Sequence, residues 1–214
     1  MKSHFSNADG SLIIDRLILA IRENKQYLSD IDGMVGDGDH GINMNKGFTM
    51  CREELDKNPG DISYSLKILA KILIMKIGGS MGQLYGKFFK AIGVALEGKE
   101  EIGIIEMGIA LNAGVEAIAS ISPAKVGDKT LIDTLIPALA AYKKAQSDGK
   151  PLSEALEAMK IAAIEGRDST RDLVARLGRA SCLGERSRGV LDAGATSSCL
   201  ILGTIADAIN ELLK

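Results

Sequence analysis

Apolar residues recur at steps of three and four along most of this chain, and that spacing leaves few folds open to it. Strands with one buried face alternate apolar and polar residues, and almost no segment here does so. The first helix is predicted to begin after an N-cap at Ser11 and to bury a stripe formed by Leu12, Leu17, Ile18, Ile21 and Leu28. The spacing therefore predicts an all-α protein.

Eight helices account for the pattern. The second is expected from about Asn43 to Leu55, with Met44, Phe48, Cys51 and Leu55 on its buried face. Asp61 should cap the third, which carries Ile62, Leu66, Leu69 and Leu73 and should stop at Gly78 and Gly79. The fourth is expected from near Gly82, and its Gly86 and Gly93 would let a neighbouring helix approach.

Four more helices are predicted over about 101–120, 130–147, 152–175 and 194–213. Pro137 lies inside the sixth, where it removes an N–H group and should kink or restart the helix.

Composition narrows the class of protein further. With 214 residues, 46% of them hydrophobic, the chain can bury a substantial core, and we predict one domain over residues 1–214. A net charge of -2 with scattered cations disfavours nucleic acid as a partner. The polar N-terminus and the lack of a long apolar run favour the cytoplasm. Cys51, Cys182 and Cys199 lack metal-type spacing and are expected to be small core residues.

Glycine and polar residues concentrate in four of the connections between these helices, over residues 30–41, 78–82, 126–133 and 178–198. In an up-and-down antiparallel bundle, alternate connections lie at the same end. The other connections carry ordinary turns such as DKNPGD and SDGKPLS. We therefore predict a functional site at the end that gathers the four polar connections.

The first of these connections, DIDGMVGDGDHG, carries Asp32, Asp37 and Asp39. Carboxylates are hard oxygen ligands that suit Mg²⁺ or Ca²⁺ better than zinc, and a short triad suits Mg²⁺ with phosphate. A solvated acidic turn is the alternative interpretation. His40 and Asn43 follow at the predicted start of the second helix, where they could bond phosphate or ribose.

The other polar connections supply groups that suit an anion. Ser80, in GGSMG, precedes a helix N-terminus, although the segment is not a Walker A loop and a plain helix break is the alternative. The last connection offers the forked donors of Arg179, Arg186 and Arg188, followed by Asp192, Gly194 and Thr196 at a helix start.

The segments GDGDHGINMNKGF, GGSMGQLYGKFF, GDKTLIDTLIPA and GRASCLGERSRGVLDAGATSS, in this order, resemble the nucleotide-binding L subunits (DhaL) of bacterial dihydroxyacetone kinases over about 30–198. The resemblance implies an eight-helix antiparallel barrel with the nucleotide at one end. It implies that Asp32, Asp37 and Asp39 hold two Mg²⁺ ions. It places the nucleotide, ADP or ATP, on His40, Gly41, Ile42, Asn43, Ser80, Met81, Ser122, Leu131, Arg179, Asp192, Ala193 and Gly194. This sequence has DAGA at 192–195 where related L subunits often carry DPGA.

The resemblance also implies partners. Dihydroxyacetone would be held by a separate K subunit, and ADP would stay bound and be rephosphorylated by a phosphotransferase-system M subunit, so this chain needs no catalytic residue of its own. One alternative is an ATP-dependent kinase subunit acting on dihydroxyacetone or another ketose such as erythrulose. A non-catalytic nucleotide-sensing regulatory partner and a relative of the fatty-acid kinases are further alternatives.

Overall fold

Helices make up most of the computed structural model, which describes residues 2–214. The α-helices are α1 (Ser11–Glu23), α2 (Lys25–Gly33), α3 (His40–Leu55), α4 (Ile62–Ile72), α5 (Gly79–Ala95), α6 (Ile104–Ala119), α7 (Ile132–Ser147), α8 (Leu152–Ser169) and α9 (Ala193–Leu212). A π-helical turn spans Leu73–Ile77, and 3-10 segments span Thr170–Asp172 and Arg179–Ser187. Two short strands, β1 (Phe5–Ser6) and β2 (Glu101–Ile102), pair antiparallel. Within residues 2–214, no helix is both long enough and apolar enough to span a membrane.

Eight of these helices form a closed ring. From α3 to α9 each helix packs against the next one along the chain, α1 packs against α3, and α1 meets α9 to close the ring. The remaining helix, α2, packs on α3 and α9. The interior is filled by aliphatic side chains and by Phe48, Phe88, Phe89 and Tyr142. The predicted all-α class is confirmed.

The first predicted helix is broken in two, which the apolar stripe did not reveal. The side chain of Asn24 donates to the carbonyl oxygen four residues earlier, at 2.9 Å, and α2 begins at the next residue. A side-chain bond of this kind competes with helix continuation. Leu28 remains buried on α2, whereas Leu12 is only half-buried. The predicted N-cap at Ser11 is wrong, because Gly10 holds that position and no side chain caps the helix.

Several predicted helix bounds are corrected at their ends. The second predicted helix starts three residues early, at His40, and the fourth starts at Gly79 instead of Gly82. Residues 101–103 are not helical, because β2 pairs there with the N-terminal segment, placing Phe5 opposite Ile102. The seventh ends at Ser169 in a 3-10 turn, so residues 173–175 are not helical.

Two expectations about the third helix are confirmed. The Asp61 side chain accepts a hydrogen bond from the backbone N–H of Tyr64 at 2.7 Å, as an N-cap should. The helix leads through the π-helical turn into Gly78, which has a φ of 66° that favours glycine. Cys182, by contrast, is exposed in the last connection, so the prediction of a core position for it is wrong, while Cys51 and Cys199 are buried.

Pro137 does not restart its helix, because α7 runs through it, so that part of the prediction is wrong; the kink stays a prediction. The missing N–H would have bonded the carbonyl of Asp133, in the first turn of α7. A Cβ atom at Gly166 of α8 would fall against that same carbonyl and 3.0 Å from the Cα atom of Thr134. The close packing of α7 and α8 at this point therefore holds the helix in place despite the lost bond.

The close approach expected at Gly93 is present. The Ser63 hydroxyl on α4 donates to the Gly93 carbonyl at 2.6 Å, and a Cβ atom at position 93 would lie 2.9 Å from the Ser63 carbonyl oxygen. Gly86 likewise faces the α4 backbone, at Ala70. These glycines set the distance between α4 and α5.

We predict that Gly93→Ala lowers the free energy of unfolding by about 1–3 kcal/mol, because the added methyl group meets backbone that cannot yield cheaply. Gly203→Ala on α9 is the matched control, since a Cβ atom there meets nothing within 4 Å. The free energy of unfolding of this control should rise by up to about 1 kcal/mol, because alanine has a higher helix propensity than glycine. Urea unfolding measures both, and a Gly93→Ala chain as stable as the wild type would contradict the packing argument.

Candidate functional site

A cavity of about 540 Å³ opens at the end of the ring where the four polar connections meet. Residues from all four connections line it, together with the first turns of α3, α5 and α9. The four polar connections therefore meet at one end of the ring, as the sequence predicted, and that end carries a cavity; its function as a site stays a prediction.

Three carboxylates converge at one edge of this cavity. Asp32 lies in the last turns of α2, and Asp37 and Asp39 follow in the turn that leads to α3. One oxygen atom from each of the three lies within 4.8 Å of the others. This spacing and these hard oxygen ligands fit a divalent cation such as Mg²⁺.

The glycines of this turn are needed for the convergence. Gly38 has a φ of 74°, in the region that favours glycine. A Cβ atom at Gly36 would lie 2.8 Å from a carboxylate oxygen of Asp32. The turn is also tied to helix α3, because the Asp32 carboxylate accepts from the backbone N–H of His40 at 3.3 Å.

A cation from the last connection lies beside the acids. The guanidinium of Arg179 pairs with the carboxylate of Asp37 and lines the cavity. Arg186 and Arg188 do not line it, so their predicted role as donors at the site is not supported. Arg188 instead pairs with Glu185 on the exposed surface.

His40 belongs to a hydrogen-bonded chain that joins the first connection to α9. Its Nε2 atom lies 2.8 Å from the Ser197 hydroxyl, which lies 2.6 Å from the Tyr85 hydroxyl. The Tyr85 hydroxyl donates to the carbonyl of Gly194 at 2.9 Å. Burial lowers the pKa of His40, against an opposing effect of Asp32, so the neutral imidazole is favoured in this position. These hydrogen bonds hold His40 at the edge of the cavity.

The other predicted nucleotide contacts divide into two groups. Those that line the cavity are Asn43, Ser80, Met81, Ser122, Leu131, Asp192, Ala193 and Gly194. Gly41 and Ile42 do not line it. Gly41 packs on α2, where a Cβ atom would lie 2.9 Å from the backbone nitrogen of Ser29, and Ile42 is 51% exposed. The nucleotide contacts of all these residues stay a prediction.

Asp192 forms the N-cap of α9. Its carboxylate accepts from the backbone N–H of Ala195 at 2.7 Å. Burial raises the pKa of Asp192 to about 7, although hydrogen bonds from Ala195 and Gly194 and the charge of Lys129 act in the opposite direction. An acidic group of variable charge therefore lies in the cavity wall at neutral pH.

Sequence reasoning missed four residues that shape the site: Tyr85, Lys129, Asp133 and Ser197. The buried carboxylate of Asp133 accepts from the backbone N–H groups of Gly127 at 2.5 Å and Thr130 at 2.7 Å. The segment TLID, which begins at Thr130, has the spacing of a capping box and could have indicated this role. No local pattern marks the other three, because the partners that tie them to the site lie far along the chain.

The fold and the cavity define an all-α protein with an acidic, glycine-lined site at one end of a closed helix ring. The chain belongs to the DAK2 domain family, whose model matches residues 34–207.

Similar proteins match nearly the whole chain. It is 36% identical over 196 residues to the ADP-binding subunit DhaL of the PEP-dependent dihydroxyacetone kinase 2 of Listeria innocua, and the match covers 89% of each chain. It is 35% identical to the corresponding DhaL subunit of Escherichia coli, covering 87% of this chain and 89% of that one. The D-erythrulose kinase of Mycolicibacterium smegmatis is 33% identical over 91% of this chain, which spans 34% of that protein.

Solved structures show the same fold. The native dihydroxyacetone kinase of C. freundii superposes with a TM-score of 0.71 at 24% identity, covering 96% of this chain and 36% of that one. The structure of the C. freundii kinase in complex with AMP-PNP and Mg²⁺ gives a TM-score of 0.64 at 24% identity, covering 91% and 33%.

The raised pKa of Asp192 predicts how stability depends on pH. An acid whose pKa is higher in the folded chain than its ordinary value of 3.8 destabilises the fold progressively as pH rises from about 4 to 7, because the unfolded chain releases the proton first. Asp192→Asn keeps the capping oxygen but does not ionise. We expect the difference in the free energy of unfolding between Asp192→Asn and wild type to grow in favour of the variant by about 2–3 kcal/mol from pH 4 to pH 7.5.

Urea unfolding at both pH values measures this difference. Asp61→Asn, which alters the N-cap of α4 away from the cavity, controls for loss of a capping charge. A difference between wild type and Asp192→Asn that does not change with pH would show that Asp192 titrates normally.

Proposed function

We propose that this chain is the nucleotide-binding subunit of a dihydroxyacetone kinase. The observation that carries the proposal is the convergence of Asp32, Asp37 and Asp39 beside a cavity lined by glycine-rich turns. The end-to-end match with DhaL subunits of dihydroxyacetone kinases supports the same assignment.

Two Mg²⁺ ions would be held by the three aspartates, with the nucleotide phosphates completing their coordination. When bound, the metal neutralises charge on the phosphate oxygens during transfer. The donor set fits this use, because it offers several carboxylate oxygens at an exposed edge where phosphate can approach.

The chain's own residues would hold and orient the phosphates. Gly78 and Gly79 both have positive φ values, and a Cβ atom at either would meet nothing within 4 Å, so the backbone at the start of α5 is open to a ligand. Ser80 follows in the first turn of α5, where backbone N–H groups favour an anion. The guanidinium of Arg179, in the last connection, can donate hydrogen bonds to phosphate oxygens.

The phosphoryl acceptor would come from elsewhere. We infer that dihydroxyacetone is presented by a separate K subunit and that a phosphotransferase-system M subunit regenerates the bound nucleotide, in the cytoplasm. The match to DhaL subunits over nearly their full length favours this arrangement over a ketose kinase such as the erythrulose kinase, of which this chain spans only a third. An ATP-exchanging kinase subunit is the second candidate.

Replacing a triad carboxylate tests the metal site. We expect Asp39→Asn to weaken binding of ADP in the presence of Mg²⁺ by about a hundredfold or more, because one oxygen ligand becomes neutral. Asp30→Asn is the control, because Asp30 is an exposed residue of α2 that lies outside the triad. Its carboxylate accepts a hydrogen bond from the side chain of Gln26. Isothermal titration measures both, and unchanged affinity in Asp39→Asn would overturn the assignment of the metal site.

A second experiment tests the need for partners. The purified chain alone should transfer no phosphoryl group to dihydroxyacetone, whereas addition of K and M subunits with phosphoenolpyruvate and the general phosphotransferase proteins should give turnover. Mass spectrometry of the purified chain identifies the donor type, since retained ADP indicates a bound cofactor and an empty site indicates exchange with ATP. Turnover by the single chain would refute the subunit assignment.

A further inference from the structure

We propose that Lys129 is a positioning residue for the nucleotide cavity, whose ammonium group ties the connection before α7 to both ends of the connection between α8 and α9. This inference rests on the proposed function, because it assigns Lys129 to the nucleotide site.

Lys129 is held in an unusual way. It is 1% exposed, and its φ of 61° makes it the sole non-glycine residue with a positive φ among residues 2–214. Its Nζ atom donates to three backbone carbonyl oxygens, at 2.7 Å to Thr170, 3.2 Å to Leu173 and 2.5 Å to Val190. A left-handed conformation at a residue with a long side chain is costly, and such strain concentrates at functional sites.

The three bonds decide what Lys129 can do. An ammonium group has three donors, and all of them are used within the protein. Lys129 therefore lines the cavity without a free donor for a phosphate oxygen. The group acts through the backbone that it joins and does not bind the nucleotide phosphates itself.

The charges around Lys129 are balanced by nearby acids. Burial lowers its pKa, while Asp192, Asp172 and Asp133 raise it and Arg188 lowers it. Two of the accepting carbonyls lie just beyond α8, where the negative end of the helix dipole stabilises a cation. The pKa of Lys129 is lowered overall, because burial outweighs these opposing charges.

The segments that Lys129 joins form two adjoining walls of the cavity. On one side, Thr130 and Leu131 follow Lys129 directly and line the cavity. On the other, the hydroxyl of Thr170 accepts from the backbone N–H of Asp192 at 3.0 Å, which fixes the start of α9. The walls meet closely, since a Cβ atom at Gly194 would lie 3.4 Å from the Cβ atom of Leu131.

Removing the ammonium group should therefore loosen both walls together. A ligand that fits between them would then have to order them on binding, and its affinity would fall by the cost of that ordering. A purely structural lysine differs in one respect: its loss would lower stability to the same extent with and without the nucleotide.

The test compares Lys129→Met, which removes the donors, with Lys129→Arg, which keeps a cation. Lys125→Met is the matched control, because Lys125 is an exposed residue of the same connection and does not line the cavity. We expect Lys129→Met to bind ADP with Mg²⁺ about tenfold more weakly and to lose much of the ADP-dependent rise in melting temperature. Lys129→Arg should recover part of both, and Lys125→Met should match wild type.

The outcomes separate the two proposals. If wild type binds ADP with Mg²⁺ and Lys129→Met binds it equally well, with the same ADP-induced rise in melting temperature, the positioning role is wrong and the proposed function stands. If wild type itself does not bind ADP with Mg²⁺, the proposed function fails and the role of Lys129 fails with it.

Hydrogen exchange on the wild-type chain covers the case in which Lys129→Met does not fold. The backbone N–H groups of Gly127, Thr130 and Asp192 are hydrogen-bonded to side chains in the joined walls. They should exchange slowly before any nucleotide is added, because the walls are already assembled. Fast exchange at these positions that slows only when ADP binds would show that the nucleotide, and not Lys129, assembles the walls.

Discussion

The packing of α1 against α9 closes the helix ring, and the location of the site follows from that contact. In a closed ring of antiparallel helices, alternate connections must emerge at the same end. Four connections of unrelated sequence are therefore brought to one cavity although 148 residues separate the start of the first, at 30, from the start of the last, at 178. The break at Asn24 adds to this, because it turns α2 across α3 and α9 and so delivers Asp32 to the edge of the cavity.

The charged residues around the cavity form two groups, one exposed and one buried. Asp37 and Arg179 are exposed, and the groups they carry remain accessible to a ligand. Lys129 and Asp133 are buried, and their hydrogen-bonding capacity is spent on backbone groups of the surrounding turns. A buried charged group is tolerated only when its polar atoms have hydrogen-bond partners, as these two residues have. These two buried residues shape the turns, and the exposed groups remain accessible.

The sequence predicted what short-range patterns control. Helical spacing placed Met44 and Phe48 in the core, and the Asp61 cap was correct because a cap depends on residues three positions apart. The strand pairing of Phe5 with Ile102 and the bonds of Lys129 were missed because their partners are distant in sequence. The spacing also could not show that α7 would tolerate Pro137, since that depends on the packing of α8 against it.

The residue at position 193 is alanine, where the resemblance led us to expect proline, and it lines the cavity. Ala193 occupies the first position of α9, directly after the Asp192 cap. The backbone N–H at this position of a helix has no partner within the helix, which is why proline is favoured there. With alanine in DAGA or proline in DPGA, α9 therefore contains the same backbone hydrogen bonds. The Ala193 side chain is buried in a small cluster with Ile31 and Leu191, which links α2, and with it Asp32, to the start of α9. The carboxylate edge of the cavity and the start of α9 are thus coupled through apolar contact as well as through the His40 hydrogen bonds.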